Sequence, residues 1–170
     1  TTADNDGNDP TLLYGINKSA AAGTTTISNN TIGSTITANS INASSTSLTG
    51  AQSVIGILNG GSGTITLSGN TIANLTNGSA NPNTGTLGEV NGISSTAGTN
   101  TIANNIIHNL TNGNANTNAT NNASVCGISL TAATLKNVTG NTIYNLTNSY
   151  ASFTGEVMGI YFSGGTAIVN

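Results

Sequence analysis

The sequence predicts an all-β fold, a right-handed parallel β-helix with three short strands per coil and about four complete coils plus a partial one. Three observations carry that reading. The stretch Asn70-Thr71-Ile72-Ala73-Asn74-Leu75-Thr76-Asn77 returns as Asn105-Ile106-Ile107-His108-Asn109-Leu110-Thr111-Asn112 and as Asn141-Thr142-Ile143-Tyr144-Asn145-Leu146-Thr147-Asn148, at steps of 35 and 36 residues. A second signal, an aliphatic residue followed by any residue, Gly and Ile, alternates with the first and has its glycines at Gly15, Gly56, Gly92, Gly127 and Gly159. Finally, Asn (29) and Thr (30) supply over a third of the chain, yet Ile, Val and Leu recur on a fixed schedule, which argues for order rather than disorder.

Residues 1–12 form an Asp/Asn-rich N-terminal segment, and the β-helix is expected over 13–170. Asp4, Asp6 and Asp9 crowd around Gly7, an alternation of oxygen donors about a glycine that suits a Ca²⁺ loop. Beyond it each repeat carries three strands. The first holds the Gly-Ile signal. The second follows around Ile27, Leu67, Ile102 and Val138. The third opens on Asn-x-Ile, with a weaker first copy at Asn30-Thr31-Ile32, 40 residues before Asn70. These runs are too short and too β-branched for helices. Between repeats, polar segments such as 78–88 and 113–124 vary in length while the strand spacing holds, as loops on one face of a solenoid do.

Coils of such a helix stack about 4.8 Å apart. Ile then stands on Ile inside, and Asn30, Asn70, Asn105 and Asn141 stand over one another at a corner, where stacked carboxamides hydrogen-bond along the axis. A left-handed form needs a hexapeptide rhythm, which this sequence lacks. The phrases Ser28-Asn29-Asn30-Thr31-Ile32, Ser68-Gly69-Asn70-Thr71-Ile72 and Gly140-Asn141-Thr142-Ile143, each followed later by Gly-Ile, resemble the parallel β-helix repeats of the pectin-lyase-like superfamily over roughly residues 13–170. The resemblance implies architecture more than activity, because that superfamily includes lyases, hydrolases, phage tailspikes, autotransporter passengers and other adhesins.

Its enzymes act on polysaccharides with an Arg or Lys base and Asp-bound Ca²⁺, or with clustered carboxylates. This chain has no Arg, and its repeats hold only Glu89 and Glu156, both in a Gly-Glu-Val context two repeats apart. The repeated context points to a structural carboxylate, so no enzyme activity is expected. His108 replaces Ala73 and Tyr144 of the other copies, and Cys126 replaces Ile55, Asn91 and Met158, so each reads as filling its column.

Ten Asn residues begin an Asn-x-Ser/Thr sequence. Asn74, Asn109 and Asn145 share a column in which glycans would collide. Asn42, Asn77, Asn118 and Asn122 fall in variable segments and are the glycosylation candidates.

Two lysines against five carboxylates leave a net charge of −3, which argues against a nucleic-acid partner. No apolar run approaches the ~18 residues of a membrane helix. The chain opens without a signal peptide, although Thr1-Thr2-Ala3 suits the product of its removal. The polar, uncharged, sequon-rich composition points to an extracellular or cell-surface location.

Neither end shows a capping element, and aligning Ile168-Val169-Asn170 with Ile102-Ala103-Asn104 stops the last coil before its Asn-x-Ile strand. The expected function is therefore a structural subunit of an extracellular filament or surface fibre, its partner itself in a head-to-tail stack, with cell-surface or matrix glycans as further partners. The nearest alternative is a fragment of a long surface adhesin or autotransporter-like passenger. Ice binding through Thr24-Thr25-Thr26, Thr35-Ile36-Thr37, Thr64-Ile65-Thr66 and Thr99-Asn100-Thr101 ranks below these, because the triplets read as out of register; a polysaccharide-active enzyme also ranks below.

Overall fold

The computed structural model describes the chain except residues 5, 6, 8, 83–87, 121, 122, 132 and 133. The fold is a parallel β-solenoid of three walls, built in repeating order. Wall A holds β1 (Thr2–Asp4), β4 (Thr31–Ile32), β5 (Ile41–Ser44), β8 (Thr71–Asn77), β11 (Ile106–Asn112) and β14 (Thr142–Asn148). Wall B holds β2 (Thr11–Lys18), β6 (Gln52–Asn59), β9 (Val90–Ser95), β12 (Val125–Leu130) and β15 (Val157–Phe162). Wall C holds β3 (Thr24–Ser28), β7 (Thr64–Ser68), β10 (Thr99–Ala103), β13 (Lys136–Thr139) and β16 (Ala167–Val169). The boundary drawn after residue 12 runs through β2, and β1, inside the Asp-rich segment, pairs parallel with β5.

Stacking is in register. Ile72, Ile107 and Ile143 form one inner column and Leu75, Leu110 and Leu146 the next. Two inward residues three positions apart contradict strict strand alternation. The left-handed φ of 56°, 56° and 54° at Asn74, Asn109 and Asn145 resolves the contradiction: each Asn bends its strand, so that the Ile before it and the Leu after it both face the core.

The two repeated signals explain each other. A Cβ on Gly92 would lie 2.5 Å from Ile107 Cγ2 and 2.6 Å from the Gly127 carbonyl oxygen, and Gly56 and Gly127 meet Ile72 and Ile143 in the same way. Wall B carries glycine so that the Ile of the wall A signal can lie against its backbone. The core these columns make runs from Ile32 through Ile57, Leu67, Ile93 and Ile102 to Leu130.

The longer first step has a local cause. Ile32 pairs with Ile72, but Ile41 pairs with Leu75, so residues 33–40 are an insertion that splits the strand of that coil into β4 and β5. Thr35-Ile36-Thr37 sits in this insertion. The other three Thr triplets correct the sequence expectation: Thr24 pairs with Thr64 and Thr64 with Thr99, while Thr26, Thr66 and Thr101 pair likewise, so they occupy one register on wall C.

Candidate functional site

Polar side chains organise this molecule along its axis. At the corner from wall C to wall A, Asn30 Nδ2 donates to Asn70 Oδ1 at 3.0 Å, Asn70 Nδ2 to Asn105 Oδ1 at 3.0 Å, and Asn105 Nδ2 to Asn141 Oδ1 at 2.9 Å. Each of these oxygens also accepts from the backbone N–H of the Asn in the preceding coil. The same Nδ2 groups turn to carbonyls as well, as from Asn70 to Ile27 and from Asn105 to Leu67. Asn70 and Asn105 are fully buried, so every bond in the column replaces a bond to water.

A second column runs with opposite polarity: Asn145 Nδ2 donates to Asn109 Oδ1, Asn109 Nδ2 to Asn74 Oδ1, and Asn74 Nδ2 to the Ser34 carbonyl. These are the left-handed residues of wall A. A third, incomplete column lies where wall A ends. There Asn77 Nδ2 donates to Asn112 Oδ1 at 2.9 Å and to the Gln52 carbonyl at 2.7 Å.

Asn77 is thus not an open glycosylation site. It has no exposed surface, and the nitrogen that would carry a glycan is engaged twice. Asn42 lies in β5, part-buried. Asn118 is part-buried with its Nδ2 covered, and Asn122 lies outside the described residues. At the other end of the chain, Asp4 Oδ1 accepts from the Ser44 hydroxyl at 3.1 Å, Asp9 has interactions of its own, and Asp6 lies outside the described residues. Among the described residues no three His, Cys, Asp or Glu side chains gather as a metal site.

The lysines reveal a device that sequence reading missed. Lys18 is buried with Nζ donating to the carbonyls of Ala20 and Ser62, and Lys136 is fully buried with Nζ donating to the Gly164 carbonyl at 2.5 Å. In the coils between them Asn59 and Asn100 cap the equivalent turn carbonyls, Ala97 and Gly98. No shared sequence signal marks the pair: the segment after Lys18 holds Gly23, whereas residues 131–135 before Lys136 hold no glycine.

Glu89 has the strongest electrostatic perturbation. It lines a cleft of about 240 Å³ on wall B with Leu12, Tyr14, Ile55, Leu58 and Ser129. Burial pushes its carboxyl up to about 7, and the neighbouring Asn91 draws it back only in part, since neither polar atom of that side chain makes a well-formed hydrogen bond. Burial and the nearby Glu89 charge also raise Tyr14, and burial pushes the Cys126 thiol to about 12. Glu89 and Glu156 share an outward column with Ser124 between them, Glu89 largely covered and Glu156 exposed. His108, buried, stacks on Tyr144 with ring centroids 4.8 Å apart and planes 1° from parallel.

At the C-terminal coil the inner columns run out into solvent. Val54, Val90 and Val125 have no exposure, whereas Val157, next in that column, is 40% exposed. Val138 is 1% exposed and Val169 beyond it 43%. β14, β15 and β16 each pair on one side only, and Tyr144, Phe162 and Ile168 add to the apolar surface around them. The class this defines is a three-walled parallel β-solenoid held by axial carboxamide columns. Comparison with protein-family models, with curated proteins and with solved structures finds no match.

Proposed function

We propose that this chain is a structural subunit of an extracellular filament or cell-surface fibre, growing head to tail by stacking of coils, and that it stands with the non-enzymatic members of the pectin-lyase-like β-helix proteins. The supporting observation is the exposure of Val157 and Val169 in columns whose middle coils are sealed, with Leu13 and Ile27 only part-buried at the other end. Covering one such aliphatic side chain stabilises a joint by about 1.5–3 kcal/mol. Edge strands with unpaired N–H and C=O groups supply direction and register. A surface with a net charge of only −3 opposes lateral bundling little. The outer walls and polar loops would then face surface or matrix glycans.

The same exposed columns suit further coils of one longer chain, as in an adhesin or autotransporter-like passenger. Sedimentation and negative-stain microscopy separate the readings. The 170-residue chain should form thin filaments as its concentration rises, and the double variant Val157→Lys, Val169→Lys, or truncation from Gly164, should stay monomeric. A chain that is monomeric at every concentration overturns self-assembly. Native material running far above one 170-residue chain under denaturing conditions would establish covalent continuation instead.

A further inference from the structure

Wall C is unlike the other two. Its strands alternate strictly, with Ile65, Leu67, Ile102 and Val138 inward and the residues between them outward. The outward positions make columns across successive coils: Thr24, Thr64, Thr99; Thr26, Thr66, Thr101; and Ser28, Ser68, Ala103. Asn137 and Thr139 extend the second and third. No outward position of this wall carries a charge or an aromatic ring.

Loops leave the wall bare. Three to five residues separate each wall B strand from the wall C strand that follows, and two residues lead out of wall C in each of the first four coils; the longer segments lie between walls A and B or, at 33–40, within wall A. Among the described residues, none of the six Thr hydroxyls in the first two columns bonds to another protein group.

We propose that wall C binds the surface of ice. Parallel stacking sets a repeat of about 4.8 Å across the coils, and alternate residues sit about 6.6 Å apart along a strand. Both repeats come close to the oxygen rows of a prism face of hexagonal ice. Thr suits that task chemically, because its β-branched side chain is stiff at χ1 and holds a methyl and a hydroxyl in fixed directions. The methyl groups order water between the columns, and the free hydroxyls enter the lattice of that water. A sugar chain is a poorer fit, since the wall offers no ring to stack on and no carboxylate to grip vicinal hydroxyls.

The test is partition of the folded chain into slowly growing ice, with crystal shape watched at the freezing point. Wild type should concentrate in the ice and facet the crystal. Thr66→Lys, at the centre of the array, should lose about tenfold of that enrichment, as a prop at the middle of a flat contact does. Asn17→Lys, on exposed wall B, should keep it, and circular dichroism should show both variants folded. Thr66→Val, retaining the methyl group, should fall between wild type and Thr66→Lys. The proposal is overturned if wild type is excluded from ice, if Thr66→Lys partitions as wild type does, or if the wall retains crystalline cellulose and not ice. Filament formation has its own readout, so either idea can fail alone.

Discussion

The two corners flanking wall A obey different rules. The corner entering it from wall C is two residues long in each coil, at 29–30, 69–70, 104–105 and 140–141. Its first residue is left-handed, with φ of 57°, 63°, 56° and 62° at Asn29, Gly69, Asn104 and Gly140, and its second is a member of the buried Asn column. The corner leaving wall A varies from 45–51 to 78–89 and 113–124. The difference lies in where the side chains bond. At the constant corner each carboxamide bonds to the next coil, so one inserted residue would break the column. In the variable loop the start is tied to neighbouring coils, as where Ala115 N–H donates to Asn81 and Asn116 Nδ2 to Gly88. A run of local bonds carries the chain onward: Asn114 N–H donates to Asn112 Oδ1, Asn116 to Asn114, and Asn118 to Asn116, successive Asx turns. Axial bonding forbids length change, and local bonding permits it.

The sharpest way to break this contrast is Asn105→Ala. It strands the backbone N–H of Asn70 and one hydrogen of its Nδ2, and removes the donor to Leu67, so roughly 4 kcal/mol should vanish from denaturant-derived stability, several times the loss from Asn118→Ala. Next, Gly92→Ala forces a methyl against Ile107 and the Gly127 carbonyl and should cost about 3 kcal/mol by the same measurement, whereas Gly60→Ala, with open space around it, should cost well under 1 kcal/mol.

Glu89, in its covered cleft on wall B, makes stability depend on pH. Its folded-state pKa of about 7 exceeds its ordinary 4.5, so the folded state binds the extra proton between these values. Stability is therefore highest below pH 4.5, declines as pH rises to about 7 and then levels, a loss of order 3 kcal/mol. Glu89→Gln should flatten this slope in melts taken across pH. The smallest effect should come from a four-residue Gly-Ser insertion after Thr117, about 0.6 kcal/mol or less.

Much of this was legible. The Asn, Ile and Leu columns could be read because their steps are held by axial bonding, and wall C shared them: Thr24, Thr64 and Thr99 are spaced as Asn30, Asn70 and Asn105 are. The Thr register was missed because Thr35-Ile36-Thr37 was weighed with the rest, although it belongs to the insertion. Asn77 was misplaced for a related reason. By spacing it begins a loop, but it closes the strand, and burial there depends on Gln52 from a wall distant in sequence. The lysine caps and the Glu89 cleft left no signal, since each is assembled from several coils, and composition cannot say which carbonyl a lone ammonium will meet.

The glycine nitrogens after three of the four buried Asn-Gly carboxamides, all but that of Asn91, have a slower consequence. Gly60, Gly78 and Gly113 donate their N–H to Lys18, Ala43 and Asn77, while Asn59, Asn77 and Asn112 before them have their own side chains tied. Succinimide closure, the usual route by which Asn-Gly ages, needs that nitrogen free and swung onto the side-chain carbon. Held this way, Asn59, Asn77 and Asn112 should keep their amides for as long as the chain stays wound, and begin to spoil once it is unwound.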